Sequence, residues 1–283
     1  MKNETIILVP NASNLIESQR SIGYTFETAV ADIIDNSISA NAKYIDVLFE
    51  NEKPYVAIVD NGYGMSKEEL ISAMKYGSKS KLEERHKNDL GRFGLGLKMA
   101  SFSQCRKLTV VSCKKNGVIS GAIWDLDVIS ETNDWTLKIL SSEDISNILI
   151  EKSVSEFDSG TVVIWEEFDK ISDKRQFDEL LSKTDLHISL VFHRYLEKDR
   201  TVKFNGRQLL PVDPYFTKNK ATQPLEEESI RFSVGRIAVK PYIIPYRNRL
   251  SQEEKRFLEK YYEFNINQGL YIYRNKRLIT WGK

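Results

Sequence analysis

Three short segments of this 283-residue chain bring carboxylates, amides and glycines together at spacings that can do chemistry. The first is Asp32-Ile33-Ile34-Asp35-Asn36, in which Asp32 and Asn36 lie one helical turn apart on the same face. A carboxylate there can orient a water, and the amide oxygen can ligate Mg²⁺, a hard cation that prefers oxygen and usually shares phosphate oxygens with a nucleotide. Taken alone, the same residues also describe the solvated face of an ordinary helix. The second is Asp60-Asn61-Gly62-Tyr63-Gly64-Met65, where an acid ends an apolar strand and two glycines let the backbone turn tightly beside a flat ligand. Asp60 can accept a hydrogen bond from an exocyclic amine, although a plain strand-to-helix turn fits the segment equally well. The third is Gly91-Arg92-Phe93-Gly94-Leu95-Gly96-Leu97-Lys98, at the start of an expected helix, where free amides and a lysine in the first turn favour phosphate.

Two other phosphate loops are excluded by spacing. Gly91 and Gly96 match the glycines of a P-loop, but Leu97 stands where its lysine must be and Met99 where its Ser or Thr must be. The order Gly91, Gly94, Gly96 also fails the G-x-G-x-x-G dinucleotide pattern.

The elements that would position these residues follow from periodicity. Phe26, Ala29, Val30, Ile33, Ile34 and Ile38 recur at helical spacing and predict a helix over 21–40, with Asp32, Asp35 and Asn36 between the apolar positions. Strands are expected at 44–49 and 55–59, joined by a turn at Asn51-Glu52-Lys53-Pro54, and a helix at 65–76. Residues 77–96, rich in Gly, Ser and charge, read as a long functional loop. A helix over 95–105 precedes β-rich runs at 108–112, 118–124, 135–140 and 161–165, which makes a layered α+β domain. After about residue 168 the pattern changes to a long helix over 176–196, a strand at 201–204 and a turn at Asn205-Gly206. A strand at 231–240, a charged helix at 252–262 and a β-rich run at 270–281 follow. The expected division is therefore 1–170 and 171–283. Because the chain stops directly after a strand pattern, its second domain is expected to be truncated.

Composition bounds the class. Hydrophobic residues make up 41% and charged residues 29%, the balance of a folded protein and not of a disordered one. Two cysteines and three histidines without H-x-x-x-H spacing exclude a disulfide framework and a structural zinc site. No apolar run approaches the ~20 residues that span a bilayer, so no membrane partner and a cytoplasmic location are expected. The net charge of +1 is uneven: the last 44 residues hold ten Lys and Arg against four Glu, a net of +6 and a basic surface candidate.

The succession Asp32-x-x-Asp35-Asn36, Asp60-x-Gly62-x-Gly64, Gly91-x-x-Gly94-x-Gly96 and Ser159-Gly160-Thr161 resembles, in order, the four motifs of the GHKL ATPase superfamily. That group holds gyrase B subunits, ninety-kilodalton chaperones, histidine kinases, MutL and the MORC proteins. The wording of Asp60 to Met65, of Tyr76-Gly77-Ser78-Lys79-Ser80 and of Gly94 to Ser101 is most similar to MORC-like ATPases. Asn205-Gly206, Pro211-x-Asp213-Pro214-Tyr215 and the run from Gly269 to Ile279 extend the similarity over nearly the whole chain.

The resemblance implies a Bergerat-type α/β sandwich that binds ATP with Mg²⁺, followed by a transducer-like α/β domain. It implies that Asn36 holds Mg²⁺, that Asp60 receives the adenine amino group, that Gly62, Gly64 and Met65 shape the base pocket, and that Thr161 helps hold the adenine edge. Segment 77–98 would be the lid, with the amides of Gly91 to Lys98 and the Lys98 ammonium on the phosphates. Its six Lys and Arg against three acids suit closure over an anion. The family's usual base, a glutamate four residues before the asparagine, is here Asp32, one methylene shorter, so hydrolysis is expected to be slow. Asp35 reads as structural or as a support to its neighbours, with the role of base as its alternative. Lys276 and Arg277 are the candidates for a basic residue sent from the second domain to the γ-phosphate, with a protected strand edge as the plain alternative. The implied function is an ATP-gated, homodimerising clamp that acts on DNA, with a protein partner bound through sequence beyond residue 283. The alternatives are a chaperone-like ATPase acting on protein clients and a nucleotide-sensing interaction module with little hydrolysis.

Overall fold

The computed structural model describes residues 10–21, 23–76, 96–152, 154, 158–233, 235–255 and 269–282, and they divide into two compact units. The first comprises Met1–Ile188 and Lys198–Leu209; the second comprises Ser189–Glu197 and Leu210–Lys283.

In the first unit, helices α1 (Ala12–Arg20) and α2 (Phe26–Ser39) lead into strands β1 (Tyr44–Glu50) and β2 (Tyr55–Asp60) and helix α3 (Lys67–Met74). Helix α4 (Gly96–Gln104), strands β3 (Lys107–Cys113) and β4 (Ser120–Asp125) and helix α5 (Leu126–Thr132) follow. Then come the short β5 (Lys138–Ile139), α6 (Ser142–Glu151), β6 (Gly160–Glu166) and the long α7 (Lys174–Val191), which belongs to the first unit as far as Ile188. After α8 (His193–Leu196), which belongs to the second unit, β7 (Thr201–Phe204) and β8 (Arg207–Gln208) return to the first.

All eight strands form one sheet in the order β5-β4-β3-β6-β2-β1-β7-β8, antiparallel except for the parallel pair β1 and β7. This pairing carries the first unit past the expected boundary at residue 170. Strand 201–204 matches the register of β1, Ile45 against Val202 and Val47 against Phe204, and all four side chains are buried. The turn between β7 and β8 is the expected Asn205-Gly206, both residues at positive φ as a two-residue hairpin turn requires.

Alternation along the strands builds two apolar layers. Tyr55, Ala57, Val111, Val162 and Ile164 pack with Ile123, Leu140 and Ile145 on the face covered by α6. The other face meets α2 and α4: Trp165 stacks edge-on against Phe26 at 6.1 Å between ring centroids, and its indole N–H donates to Ser101 Oγ at 2.8 Å. Helix α2 buries Phe26, Ala29, Val30, Ile33, Ile34 and Ile38, the residues whose spacing predicted it. It begins at 26 and not 21 because Thr25 and Thr28 form a reciprocal capping box.

The strand expected at 135–140 shrinks to Lys138–Ile139, and helices α5 and α6 fill the stretches between the expected β-rich runs, to which no element was assigned; Ser141 with Asp144 starts α6 through another capping box. Among the described residues both cysteines are free and buried, and no helix is long and apolar enough to cross a membrane.

The second unit holds two-stranded ribbons: β9 (Gln223–Pro224) with β12 (Tyr242–Ile243), β10 (Glu228–Phe232) with β11 (Gly235–Val239), and β13 (Leu270–Arg274) with β14 (Arg277–Gly282). The single strand expected at 231–240 is thus a hairpin, and the run at 270–281 is another, turning at Asn275-Lys276 with φ of 47° and 70°. Of the helix expected at 252–262, residues 252–255 are helical and the rest lie outside the described residues. The buried centre of this unit is polar as well as aromatic. His193 Nε2 is 2.9 Å from the Tyr273 hydroxyl, and the Arg194 guanidinium lies 3.5 Å over the Tyr273 ring.

Candidate functional site

The site grows from the register of three strands and one helix. Asp60 ends β2 and lies directly across from Thr161 on β6, while Ser112 on β3 lies across from Thr161 on the other side. Asp60 is buried at 6% exposure. Its Oδ1 accepts from the Gly62 amide at 2.8 Å and its Oδ2 from Ser37 Oγ of α2 at 2.8 Å, and the Thr161 amide donates to the same carboxylate. Burial pushes the Asp60 carboxyl above its ordinary range, and these three donors oppose that rise. A buried acid with fixed donors is a hydrogen-bond acceptor aimed by the fold, the chemistry needed to read an amino group.

The glycines close the backbone around it. At Gly64, φ is +61° and a Cβ would lie 1.8 Å from the Cys113 carbonyl oxygen; at Gly160, φ is +142° and a Cβ would lie 1.9 Å from the Asp60 carbonyl oxygen. Only glycine fits either place, so β2, β3 and β6 approach one another closely beside Asp60.

Ser112 ties this edge together. Its hydroxyl donates to the Gly160 carbonyl at 2.8 Å, accepts from the Met65 amide at 2.9 Å, and is 2.9 Å from Thr161 Oγ1. Sequence reasoning missed Ser37 and Ser112. Nothing marks them along the chain, and their importance comes from cross-strand register and from the face of α2 that meets β2.

On α2, Asp32 is half-buried and Asn36 is exposed, one turn apart as expected. Asp32 Oδ2 accepts from the Tyr24 hydroxyl at 2.7 Å, and a Cβ at Gly96, the first residue of α4, would lie 4.0 Å from that oxygen. The start of α4, with the half-buried Gly96 and Leu97, therefore stands beside the acidic face of α2. Asp35 is buried at 7% exposure and belongs to the packed side of the helix. The exposed Asn36 amide, with the Asp32 carboxylate one turn away, supplies hard oxygens open to solvent and fits Mg²⁺ held jointly with phosphates.

Lys98, expected on the phosphates, is fully buried, and its Nζ donates to the Ala73 carbonyl of α3 at 2.6 Å, 6.0 Å from the centre of the Tyr76 ring. The physical reason is the helical phase of α4, which places position 98 on the same face as the buried Ser101 and Phe102. Burial pushes the Lys98 ammonium down to about 8. Gly91, Arg92, Phe93, Gly94 and Leu95 lie outside the described residues.

Lys276 and Arg277 belong to the second unit, at the β13–β14 turn. The Lys276 ammonium lies 5.7 Å over the Tyr195 ring and the Arg277 guanidinium 5.3 Å over the Phe192 ring, with Arg277 Nη1 donating to the Leu278 carbonyl at 3.3 Å.

Comparison with known proteins agrees with this geometry. Residues 24–161 match the family described as histidine kinase-, DNA gyrase B-, and HSP90-like ATPase, a span running from Tyr24 to Thr161 and so enclosing Asp32, Asn36, Asp60 and the glycines. The chain is similar to the ATPase morc-1 of Caenorhabditis elegans, 34% identical over 98 residues, which cover 34% of this chain and 11% of that protein. It is 29% identical over 118 residues to the DNA mismatch repair protein MutL of Buchnera aphidicola (subsp. Schizaphis graminum), covering 40% of this chain and 20% of MutL. It is 24% identical over 164 residues to the chaperone protein HtpG of Wigglesworthia glossinidia brevipalpis, covering 53% and 24%. The matched stretches span less than a quarter of each of these relatives.

Proposed function

We infer, from a chain that belongs to the GHKL ATPase family through its residues 24–161, that it binds ATP with Mg²⁺, hydrolyses it slowly and closes as a dimer on DNA. The observation that carries this reading is the buried Asp60, fixed by Gly62, Ser37 and Thr161 at the mouth of a glycine-lined edge, with Asp32 and Asn36 on the neighbouring helix. Asp60 takes the adenine amino group as hydrogen-bond acceptor. Thr161 Oγ1, placed by Ser112, supports the adenine edge. Asn36 holds Mg²⁺, which neutralises phosphate charge when bound. The glycine-rich amides before α4 receive the phosphates, a role that does not need the buried Lys98.

Asp32 orients the attacking water and takes its proton as general base. Its side chain is shorter than a glutamate, and a displacement of about 1 Å can cost ~10²-fold in rate, which supports slow turnover. Lys276 or Arg277 contributes positive charge to the γ-phosphate in the closed state. The client is DNA, on the strength of the similarity to a MORC ATPase and to MutL and of the net +6 in the last 44 residues.

The test is solution mass by light scattering with Mg²⁺ and a non-hydrolysable ATP analogue, ADP or no nucleotide. The clamp requires one chain to become two only with the ATP analogue. Asp60→Ala should abolish nucleotide binding, and retained affinity would refute the adenine assignment. Asp32→Ala should abolish hydrolysis while Asp35→Ala retains it. An unchanged mass together with a rate indifferent to Asp32 would leave a nucleotide-sensing module.

A further inference from the structure

We propose that Tyr24 is a positioning residue for the Asp32 carboxylate, an inference that rests on the hydrolytic reading of Asp32 given above. Tyr24 lies in the segment between α1 and α2, directly before the Thr25 cap, and its hydroxyl reaches into the second turn of α2 to donate to Asp32 Oδ2 at 2.7 Å. Both residues are half-buried, so the bond is partly shielded from competing water.

The phenol is delivered from a backbone held on both sides. Downstream, the Thr25 hydroxyl accepts from the Thr28 amide and the Thr28 hydroxyl from the Thr25 amide, which sets the angle at which the chain enters α2. The Tyr24 carbonyl accepts from Gln104 Nε2 of α4 at 3.4 Å, and the same Nε2 donates to Ser103 Oγ at 2.7 Å. Upstream, Lys170 Nζ donates to the Arg20 carbonyl at 3.0 Å and the Ser103 carbonyl at 2.8 Å. The buried Arg20 donates through Nε to the Phe102 carbonyl at 2.8 Å and through Nη1 to Asp169 Oδ2 at 2.8 Å. The end of α1, the Tyr24 segment and the end of α4 thus form one hydrogen-bonded body.

An aspartate carboxylate rotates about two torsions, and its plane decides whether a lone pair meets the attacking water. The bond from Tyr24 to Oδ2 restrains that plane, and the same oxygen faces the first residue of α4. Restraint matters more for a short side chain, because a carboxylate one methylene back cannot recover a lost geometry by reaching further. In the reaction, water oxygen bonds to the γ-phosphorus as the bond to the ADP oxygen breaks, and the water proton passes to the Asp32 carboxylate. Tyr24 keeps its own proton throughout and exchanges nothing with substrate.

The test uses the full 283-residue chain. Tyr24→Phe keeps the ring and removes the hydroxyl; it is expected to lower kcat about 10-fold while KM for ATP and the affinity for a non-hydrolysable analogue stay within about 2-fold. In an Asp32→Asn background, Tyr24→Phe is expected to have no further effect, since a group acting through the carboxylate has nothing left to position. Wild-type kcat in Tyr24→Phe, together with a rate abolished by Asp32→Asn, would overturn the positioning role alone. A further loss in the double variant would overturn it too, by showing that Tyr24 acts independently of Asp32. A rate that survives Asp32→Asn unchanged would instead overturn the hydrolytic reading on which the inference stands.

Discussion

The two compact units of this chain treat their apolar residues in opposite ways. In the first, both faces of the eight-stranded sheet are covered, and residues such as Val56, Ile58, Val110, Ile164 and Trp165 are wholly or almost wholly removed from solvent. In the second, the β10–β11 ribbon pairs Ile230 with Ile237, and that register puts Phe232 and Val239 on the same face, yet all four side chains are about half exposed. The difference shows where the chain spends its rigidity. A buried carboxylate with three fixed donors needs strands clamped from both sides, whereas a two-stranded ribbon has marginal stability by itself.

The sharpest way to break this contrast is at Gly64. Gly64→Val forces a Cβ onto the Cys113 carbonyl at a positive φ and is expected to cost more than ~4 kcal/mol, unfolding the first unit in a denaturant titration. Gly206→Ala, at φ +76° with no atom within 4 Å of the added Cβ, should cost only ~1 kcal/mol. A mild effect at Gly64 would mean that the strands beside Asp60 are not clamped.

Core truncation comes next. Trp165→Ala should cost about 3–5 kcal/mol, because it removes an indole packed against Phe26 and leaves Ser101 without its donor, while Phe232→Ala on the open ribbon should stay within ~0.5 kcal/mol. Chemical denaturation of each variant measures both, and equal losses would erase the distinction between the units.

The pH dependences sharpen it further. Burial, helped by Arg194, pushes His193 in the second unit down to about 4. The unfolded chain protonates this histidine first, near 6.5, so its contribution is fully present above that pH and is lost as pH falls from about 6.5 towards 4. Protection factors at β13–β14, taken relative to the intrinsic exchange rate at each pH, should fall in that window by an amount corresponding to ~2 kcal/mol, and His193→Gln should flatten the response.

Lys98 in the first unit acts over another range. With its ammonium pushed down to about 8, the unfolded chain binds the extra proton between about 8 and 10.5, so stability rises as pH increases through that window. Lys98→Met should remove the rise, worth ~1–2 kcal/mol in the melting profile of the first unit. A slope that persists in Lys98→Met would assign it to other groups.

Much of the first unit was legible because its signals are local. The spacing from Phe26 to Ile38, the alternation in β1 and β2, the Asn205-Gly206 turn and the positions of α3 and α4 each follow from a few consecutive residues. The misses have local causes too. Helix α6 went unassigned between two expected strands although Ser141 and Asp144 carry its capping box, and 231–240 looks like one strand because the hairpin's second half is as apolar as its first. At the site, Asp32, Asn36, Asp60 and the glycines stand out by type and spacing. Tyr24, Ser37 and Ser112 do not, because a hydroxyl gains meaning only from what the fold places within 3 Å of it.

By itself the sequence determined which residues could act and the order in which they occur: the one-turn spacing of Asp32 and Asn36, the acid at the end of a strand, and the glycines that let the backbone turn tightly after it. Those are properties of helical and strand periods, written in a few neighbouring positions. Only the tertiary structure decided that Thr161 and Ser112 flank Asp60, that Tyr24 meets Asp32, and that Lys98 turns away from the solvent into the packing of α3 and α4. Those outcomes depend on sheet register and helix phase between segments far apart in the chain, where one residue of slip would move every side chain to the opposite face.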